Sequence, residues 1–370
     1  MNTPISLSAY GWDEQRADAF APHAAAGLLP ARVLRVLGTL CDAVTAHGTV
    51  RADLTPLSAR DPLDWVTAGD WAALDAAGDP AVLRALLPRR NVMVRSTSSK
   101  RSEGQVLAAN VDRVVIAVAA CGDVDLGRVE RFLALAWESG AEPLVVLTKC
   151  DLVPEPGLGQ LVADTAAAAP GVTVLAVSAA TGAGTDVLTA ALSGGTTVLI
   201  GQSGAGKSTL TNALVGSRAQ AVNDVRDADG KGRHTTTTRD LLPLPGGGCL
   251  IDTPGVRGVG MFDAGDGVGQ VFAEIEEFAA RCRFHDCGHT AEPGCAVLAA
   301  VGDGTLPVRR LDSYRKLLRE NAWIASRTDA RLRAEQRRVW KRRSAEGRLT
   351  GEAKRGERQG RAGRAGDGRR

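Results

Sequence analysis

The chain has 370 residues, 44% hydrophobic, 24% charged and only 4% aromatic, a size for two or three domains with cores built mainly from Ala, Val and Leu. Its 43 glycines follow no Gly-X-Y period and no heptad persists, which excludes a collagen-like or coiled-coil protein, and its longest clean apolar stretch, Val114–Cys121, is far shorter than the roughly 18–20 residues that cross a bilayer. The net charge of +3 conceals a division, because residues 331–370 hold 15 Lys+Arg against 5 Asp+Glu while residues 1–330 hold 30 against 37.

Residues 1–30 read as a loose leader ending in Ala-rich, helix-like sequence. Met1–Ile5 has neither a basic segment nor an apolar one, so no signal peptide is readable and the cytoplasm is the expected location. From Ala31 to about residue 107, short alternating runs (Ala31–Leu37, Gly48–Leu54, Gly69–Leu74 and Val92–Ser96) are separated by Gly, Pro and Asp. That texture predicts a small antiparallel barrel, with an oligonucleotide-binding (OB) barrel as one fit. Residues 108–262 turn α/β: buried-strand runs at Val114–Val118, Leu144–Leu147, Val172–Val177, Val198–Ile200 and Cys249–Ile251 alternate with helical stretches such as Gly127–Glu138 and Gly159–Ala168, the pattern of a doubly wound sheet. Residues 263–330 read as mostly helical around a cysteine cluster, with Ser313–Glu320 and Ala330–Arg343 as further helix candidates. The Gly- and Arg-rich end has almost nothing to bury and is expected to be disordered. It reads either as a contact for nucleic-acid phosphates or as a solvated tail.

The strongest chemical signal is Gly201-Gln202-Ser203-Gly204-Ala205-Gly206-Lys207-Ser208, placed between an apolar strand and a helical run that opens at Thr209. This is a phosphate-binding loop in the strand–loop–helix context it requires. Its backbone N–H groups and the helix N-terminus face phosphate oxygens, Lys207 supplies an ammonium, and Ser208 offers a hydroxyl to Mg²⁺. Asp252-Thr253-Pro254-Gly255 follows the strand Cys249–Ile251. It provides a carboxylate for Mg²⁺ and, at Gly255, an N–H able to sense a γ-phosphate. Thr148-Lys149-Cys150-Asp151 and Ser178-Ala179-Ala180 each follow a strand. Asp151 can accept both N1–H and N2–H₂ of guanine, the Lys149 stem can pack on the base, and the Ser178-Ala179 turn can donate N–H to O6. The tetrapeptide alone is weak; joined to the phosphate loop and Asp252 it specifies a guanine nucleotide.

These base-recognition elements precede the phosphate loop, whereas an ordinary small GTPase has them last. The order predicts a circularly permuted sheet spliced through Leu192–Thr196. In Gly232-Arg233-His234-Thr235-Thr236-Thr237-Thr238, one threonine, with Thr236 the assigned candidate, can complete the Mg²⁺ shell when a γ-phosphate is present. Val256 follows Gly255, where many GTPases place a water-orienting glutamine. His234 is therefore the candidate for that role, against the alternative of a structural or partner-contacting histidine. Cys282, Cys287, His289 and Cys295 make a closed set of three thiolates and one imidazole, the signature of a structural Zn²⁺. The alternative is free cysteines with an incidental histidine, and His285 is a rival ligand. Cys41, Cys121, Cys150 and Cys249 are scattered, as packed thiols are.

With these motifs stand Gly69-Asp70-Trp71, Leu87-Pro88-Arg89-Arg90, Ala108-Ala109-Asn110-Val111-Asp112, Glu292-Pro293-Gly294-Cys295 and Ser313-Tyr314. From about Ala31 to Glu320 the chain resembles the bacterial ribosome small-subunit-dependent GTPase A family. The resemblance implies an N-terminal OB fold, a circularly permuted GTPase domain and a C-terminal helical zinc-binding domain. It also implies slow GTP hydrolysis stimulated by the 30S subunit and a role late in the maturation of that subunit. 16S rRNA is the expected contact, and a monomer without a membrane partner is the expected state. Thr148 stands where Asn is more usual, which predicts a looser link between base loop and phosphate loop, and the tail beyond about residue 345 maps onto no family motif. The rival readings are another P-loop NTPase and an RNA-binding or chaperone module whose nucleotide site is mainly structural.

Overall fold

Alternating small and branched apolar residues close the N-terminal region into a five-stranded barrel in the computed structural model, which describes residues 5–96, 104–216, 239–253 and 264–328, the last with side chains through Ile324. The staves are β1 (Leu29–Leu37), β2 (Leu40–Thr45), β3 (Gly48–Asp53), β4 (Trp71–Asp75) and β5 (Ala81–Leu86). Their closed order is β1-β2-β3-β5-β4, with β3 and β5 parallel and β4 returning antiparallel to β1, an OB-type barrel. Small side chains such as Ala31, Ala43, Ala52 and Ala72 fill it with Val33, Leu74 and Leu83. Three of the four expected runs are staves. The fourth, Val92–Ser96, is not: it forms β6 and pairs with β7 (Gly104–Ala109) in a separate ribbon. Alternation reports that one face is buried, and Met93 is indeed fully buried, but in the core of the α/β region.

The leader is also more than loose sequence. Asp13 caps α1 (Glu14–Ala25), its carboxylate accepting the Arg16 N–H at 2.9 Å, which satisfies an orphan donor of the first turn. Trp12 then packs edge-on to Trp71 at 4.9 Å and to Phe20 at 5.8 Å. A few aromatic contacts fix this segment on the barrel, too few to register as an apolar stripe in sequence.

The α/β region is a six-stranded sheet of β8 (Arg113–Ala119), β9 (Glu142–Thr148), β10 (Thr173–Val177), β11 (Thr196–Gly201), β12 (Asp240–Pro243) and β13 (Cys249–Asp252). The spatial order is β10-β9-β8-β11-β13-β12, parallel except for β12. Helices α2 (Leu126–Glu138), α3 (Glu155–Ala168), α4 (Thr185–Ala191) and α5 (Lys207–Val215) connect it, and cores lie on both faces, as a parallel sheet requires. Strand β11 lies between β8 and β13, so the earlier strands flank the loop-bearing strand on one side and the later strands on the other. This is the rearranged order expected from the sequence, with Gly194–Gly195 turning the chain into β11.

Among the described residues four helices follow: α6 (Gly265–Val271), α7 (Ala273–Ala279), α8 (Ala296–Gly302) and α9 (Val308–Thr328). Val268, Phe272, Ile275, Leu311, Tyr314 and Leu317 share one continuous core with Phe132, Leu133 and Leu135 of α2. Glu130 of α2, fully buried, accepts hydrogen bonds from Arg309 at 2.9 Å, from Arg310 at 2.8 Å and from the Ser313 hydroxyl. Arg310 also donates to the Val271 carbonyl at 2.8 Å and lies 4.3 Å over the Phe272 ring. The core of this region is therefore completed by α2. The helix candidate Ala330–Arg343 and the basic tail lie outside the described residues.

Candidate nucleotide site and metal centre

Four strands, β9, β10, β11 and β13, end at the same edge of the sheet, which is where open α/β sheets bind ligands. At the end of β11, Gly201 has φ +147°, and a Cβ there would lie 2.2 Å from the Ala117 carbonyl oxygen of β8; the loop must leave the sheet through a glycine. The chain then passes through left-handed Gly204 and Gly206 into α5, a conformation that points successive N–H groups inward. Gln202, Ser203, Gly204, Ser208 and Thr209 are exposed, and Ala205 is buried. Lys207 Nζ donates to the carbonyls of Gly201 at 2.8 Å and Gln202 at 2.7 Å. Burial pulls its pKa below the ordinary lysine value, and the Asp252 carboxylate pushes it back up.

The base-recognition sequence meets this loop directly. Thr148, at the end of β9, donates from Oγ1 to the Ala205 carbonyl at 2.7 Å, with the Val118 carbonyl at 3.2 Å as second acceptor. Lys149 adopts φ +57°, unusual without a glycine, and its Nζ donates to the Gly204 carbonyl at 2.8 Å. The link expected to be loosened by Thr148 is thus made by the threonine hydroxyl itself. Asp151 is exposed on the short turn Cys150–Leu152. Ser178 is buried after β10, its N–H on the Ala183 carbonyl at 2.9 Å and its Oγ accepting the Thr181 N–H at 3.2 Å; Ala179 beside it is half-buried. At the end of β13, the buried Thr253 hydroxyl donates to Leu199 O at 2.7 Å, fixing the corner that carries Asp252 against β11. His234, Thr235–Thr238 with Thr236 among them, and Gly255 lie outside the described residues.

The sequence reading assigned no task to the base of β11. There Asp112 accepts the Thr196 N–H at 2.6 Å and pairs with Arg90 at 2.7 Å. Arg32, fully buried in barrel strand β1, donates to Thr196 Oγ1 at 2.7 Å and to the Tyr10 carbonyl, and stacks 5.2 Å from the Trp71 ring. Burial lowers its pKa to about 10. Gly69, Asn110 and Arg89 join the same seam: a Cβ at Gly69 would lie 2.3 Å from Ala109 O, Asn110 Nδ2 donates to Gly69 O at 3.0 Å, and Arg89 pairs with buried Asp70 at 2.7 Å. The quoted motifs around 69–71, 89–90 and 108–112 are the joint between barrel and sheet.

Some distance along the chain, Cys282, Cys287, His289 and Cys295 bring their ligand atoms within 4.8 Å of one another. Sγ of Cys282 and Cys295 are 3.8 Å apart, and His289 Nδ1 is 3.7 and 3.4 Å from them. A tetrahedral Zn²⁺ bound at its usual Zn–S and Zn–N lengths has ligand–ligand edges of about 3.5–3.8 Å, so these spacings fit the ion. His285 is not in the group. Glu292 shapes the loop, its carboxylate accepting N–H groups of Thr290 at 2.7 Å, Ala291 at 3.0 Å and Gly288 at 3.1 Å; its own backbone N–H, then these bonds, hold its pKa down at about 2. Cys295 caps α8, its sulfur accepting the Leu298 N–H at 3.4 Å. Cys41, Cys121, Cys150 and Cys249 are free thiols.

A family model described as RsgA GTPase matches residues 86–262. The chain is 65% identical over 352 residues, covering 95% of this chain and 96% of its relative, to the small ribosomal subunit biogenesis GTPase RsgA of Streptomyces coelicolor. Among solved structures it resembles YjeQ from Thermotoga maritima, with a TM-score of 0.58 and 24% identity over 80% of this chain and 98% of that one. It also resembles YloQ, described as a circularly permuted GTPase, with a TM-score of 0.56 and 22% identity over 80% and 95% of the two chains.

Proposed function

The chain belongs to the RsgA family of small ribosomal subunit biogenesis GTPases, and on that premise we propose a cycle in which it binds the 30S subunit with GTP and leaves after hydrolysis, late in subunit maturation. The observation that carries this reading is the pair of hydrogen bonds from Thr148 and Lys149 to Ala205 O and Gly204 O. They join a guanine-reading sequence to a phosphate loop in the reverse of the usual chain order.

In this reading Asp151 accepts the guanine N1–H and N2–H₂, with the Ser178-Ala179 turn beside O6. The N–H groups of Gly201–Thr209 hold the phosphates. Lys207 exchanges the carbonyls of Gly201 and Gln202 for phosphate oxygens, so its charge is placed where negative charge develops. Ser208, Asp252 and Thr236 would hold Mg²⁺, which when bound neutralises charge on the phosphate oxygens. Gly255 senses the γ-phosphate, and His234 orients the attacking water, a task Val256 cannot do. Cys282, Cys287, His289 and Cys295 would hold one structural Zn²⁺, a closed set with no position left for substrate. Barrel, zinc-binding region and basic tail contact 16S rRNA through its phosphates, and the chain acts as a cytoplasmic monomer.

The test is steady-state GTP turnover of the purified chain with and without 30S subunits across a salt series. Turnover is expected to be slow alone and strongly stimulated by subunits, with stimulation falling as salt rises. Absence of stimulation at every salt concentration would overturn the ribosomal cycle and leave an RNA-binding module with a structural nucleotide site. Preference for ATP over GTP would point instead to another P-loop NTPase.

A further inference from the structure

Two adjoining cavities of about 340 and 540 Å³ open where the β1–β2 turn faces the loop between β3 and β4, each within the range of about 300–1,000 Å³ of small-ligand clefts. They share a wall that includes Val36, Gly38, Trp65 and Val66. Trp65 is 53% exposed, and its Nε1 donates to the Ala59 carbonyl at 3.1 Å, so the ring's one polar atom is already satisfied by its own loop. An exposed indole with a committed N–H offers a partner mainly its flat apolar surface.

The far side of the larger cavity is cationic. It is lined by Gln105 and Arg239. Arg239 donates to the Val106 carbonyl at 3.2 Å, and Arg95, across the ribbon, donates to Gln105 Oε1 at 3.0 and 3.2 Å. Among the described residues, both guanidiniums thus bond to neutral acceptors, and neither cavity is lined by a carboxylate. Burial, reinforced by the Arg95 charge, lowers the Arg239 pKa to about 10, the mark of a cation lacking a matching anion.

A flat apolar platform beside the Arg239 guanidinium, which meets no carboxylate among the described residues, suits a planar ligand that carries negative charge. We propose that this groove receives one unpaired nucleotide of RNA, its base stacked on Trp65 and its phosphate held by Arg239. The proposal rests on the small-subunit reading for the source of the RNA. A peptide would gain from the apolar wall but would leave the Arg239 cation unmatched, whereas every RNA nucleotide has both a base with a π-face and a phosphate. Arg239 also directly follows the threonine run assigned to the Mg²⁺ shell, so an RNA phosphate on Arg239 would sit one residue from the proposed GTP switch.

The experiment uses the full chain and its Trp65→Ala, Trp65→Phe and Arg239→Gln variants. It measures affinity for 30S subunits over a salt series, and Trp fluorescence on adding a short oligoribonucleotide or the same oligomer made abasic. Loss of one stacked base predicts subunit binding weaker by on the order of 10- to 100-fold in Trp65→Ala, most of it retained in Trp65→Phe, with GTP turnover in the absence of subunits unchanged. Arg239→Gln is expected to reduce the salt slope by about one. The oligomer with bases, but not the abasic one, should quench a signal that disappears in Trp65→Phe. Equal subunit affinity of wild type and Trp65→Ala, without base-dependent quenching, would overturn the groove while the GTPase cycle stands. Base-dependent quenching by a chain that ignores subunits would keep the groove and sink the ribosomal source. A Trp65→Ala defect with identical responses to both oligomers would mean that a protein occupies the groove, and would overturn the RNA assignment.

Discussion

The nucleotide site and the cysteine cluster are positioned by opposite means. Thr148, Ser178, Gly201 and Asp252 each stand at or just after the end of a strand in one sheet, so the register of the sheet brings them together before any ligand arrives. Cys282, Cys287 and His289 sit on irregular chain between α7 and α8, and Cys295 alone is fixed by a helix end. One site is assembled by backbone pairing, the other by whatever the four ligands share. The first should therefore survive loss of its ligand, and the second should not.

Metal removal is the strongest way to break that contrast. Structural Zn²⁺ in small domains contributes on the order of 10 kcal/mol of binding free energy that is also folding free energy. Chelation, or Cys295→Ser, should abolish stoichiometric zinc and the hydrogen-exchange protection of residues 282–298. GTP affinity should be unchanged, because the α6–α9 helices also rest on α2. A parallel loss of GTP binding would mean that the two sites are not independently positioned.

Next in size is Glu130→Ala, which attacks what the two regions share. Glu130 is fully buried and bridges α2 to Arg309, Arg310 and Ser313 of α9. Removing one partner of a buried ionic network leaves the buried Arg310 with Glu274 and two backbone carbonyls in place of two carboxylates and costs about 3–5 kcal/mol. Urea unfolding should show that loss as a lower midpoint. A loss under 1 kcal/mol would mean that Glu274, which also pairs with Arg310, suffices. Smaller again is Asp151→Asn, which removes a charged acceptor from an exposed turn. Hydrogen bonds to charged groups contribute about 1.5–3 kcal/mol, so GTP should bind roughly 10- to 100-fold more weakly, with ATP affinity unmoved and zinc content intact.

How much of this was legible in sequence follows the same division. Gly201, Gly204 and Gly206 encode backbone conformations that few other residues adopt, so their spacing announced the loop. The cysteines and His289 announced their cluster because thiolates and imidazole so spaced have few other uses. What escaped notice depends on partners distant in sequence. Val92–Ser96 alternates as a barrel stave would, yet it pairs with β7. Arg32 looks like an outward charge on a strand, but it spans to Thr196 of the sheet, 164 residues away. Asp112 and Glu130 likewise meet N–H groups and guanidiniums that nothing near them in the chain reveals.

The smallest predicted effect probes the finest point of the comparison, whether the nucleotide site is pre-set by hydrogen bonds between its own loops. Thr148→Val keeps the shape and removes the donor to Ala205 O. That carbonyl belongs to the phosphate loop, and Thr148 is buried beneath it, so the acceptor loses a partner where water has little access. A lost bond of this kind costs about 1–3 kcal/mol. The loss should fall on GTP affinity more than on global stability, because sheet pairing at β9 is untouched and only the seat of the loop is freed. A GTP affinity reduced about 5- to 10-fold by calorimetry, restored in Thr148→Ser, is the expected outcome. If Thr148→Val binds GTP as tightly as wild type, the cross-link is incidental, and the contact from Lys149 to Gly204 O must hold the two loops by itself.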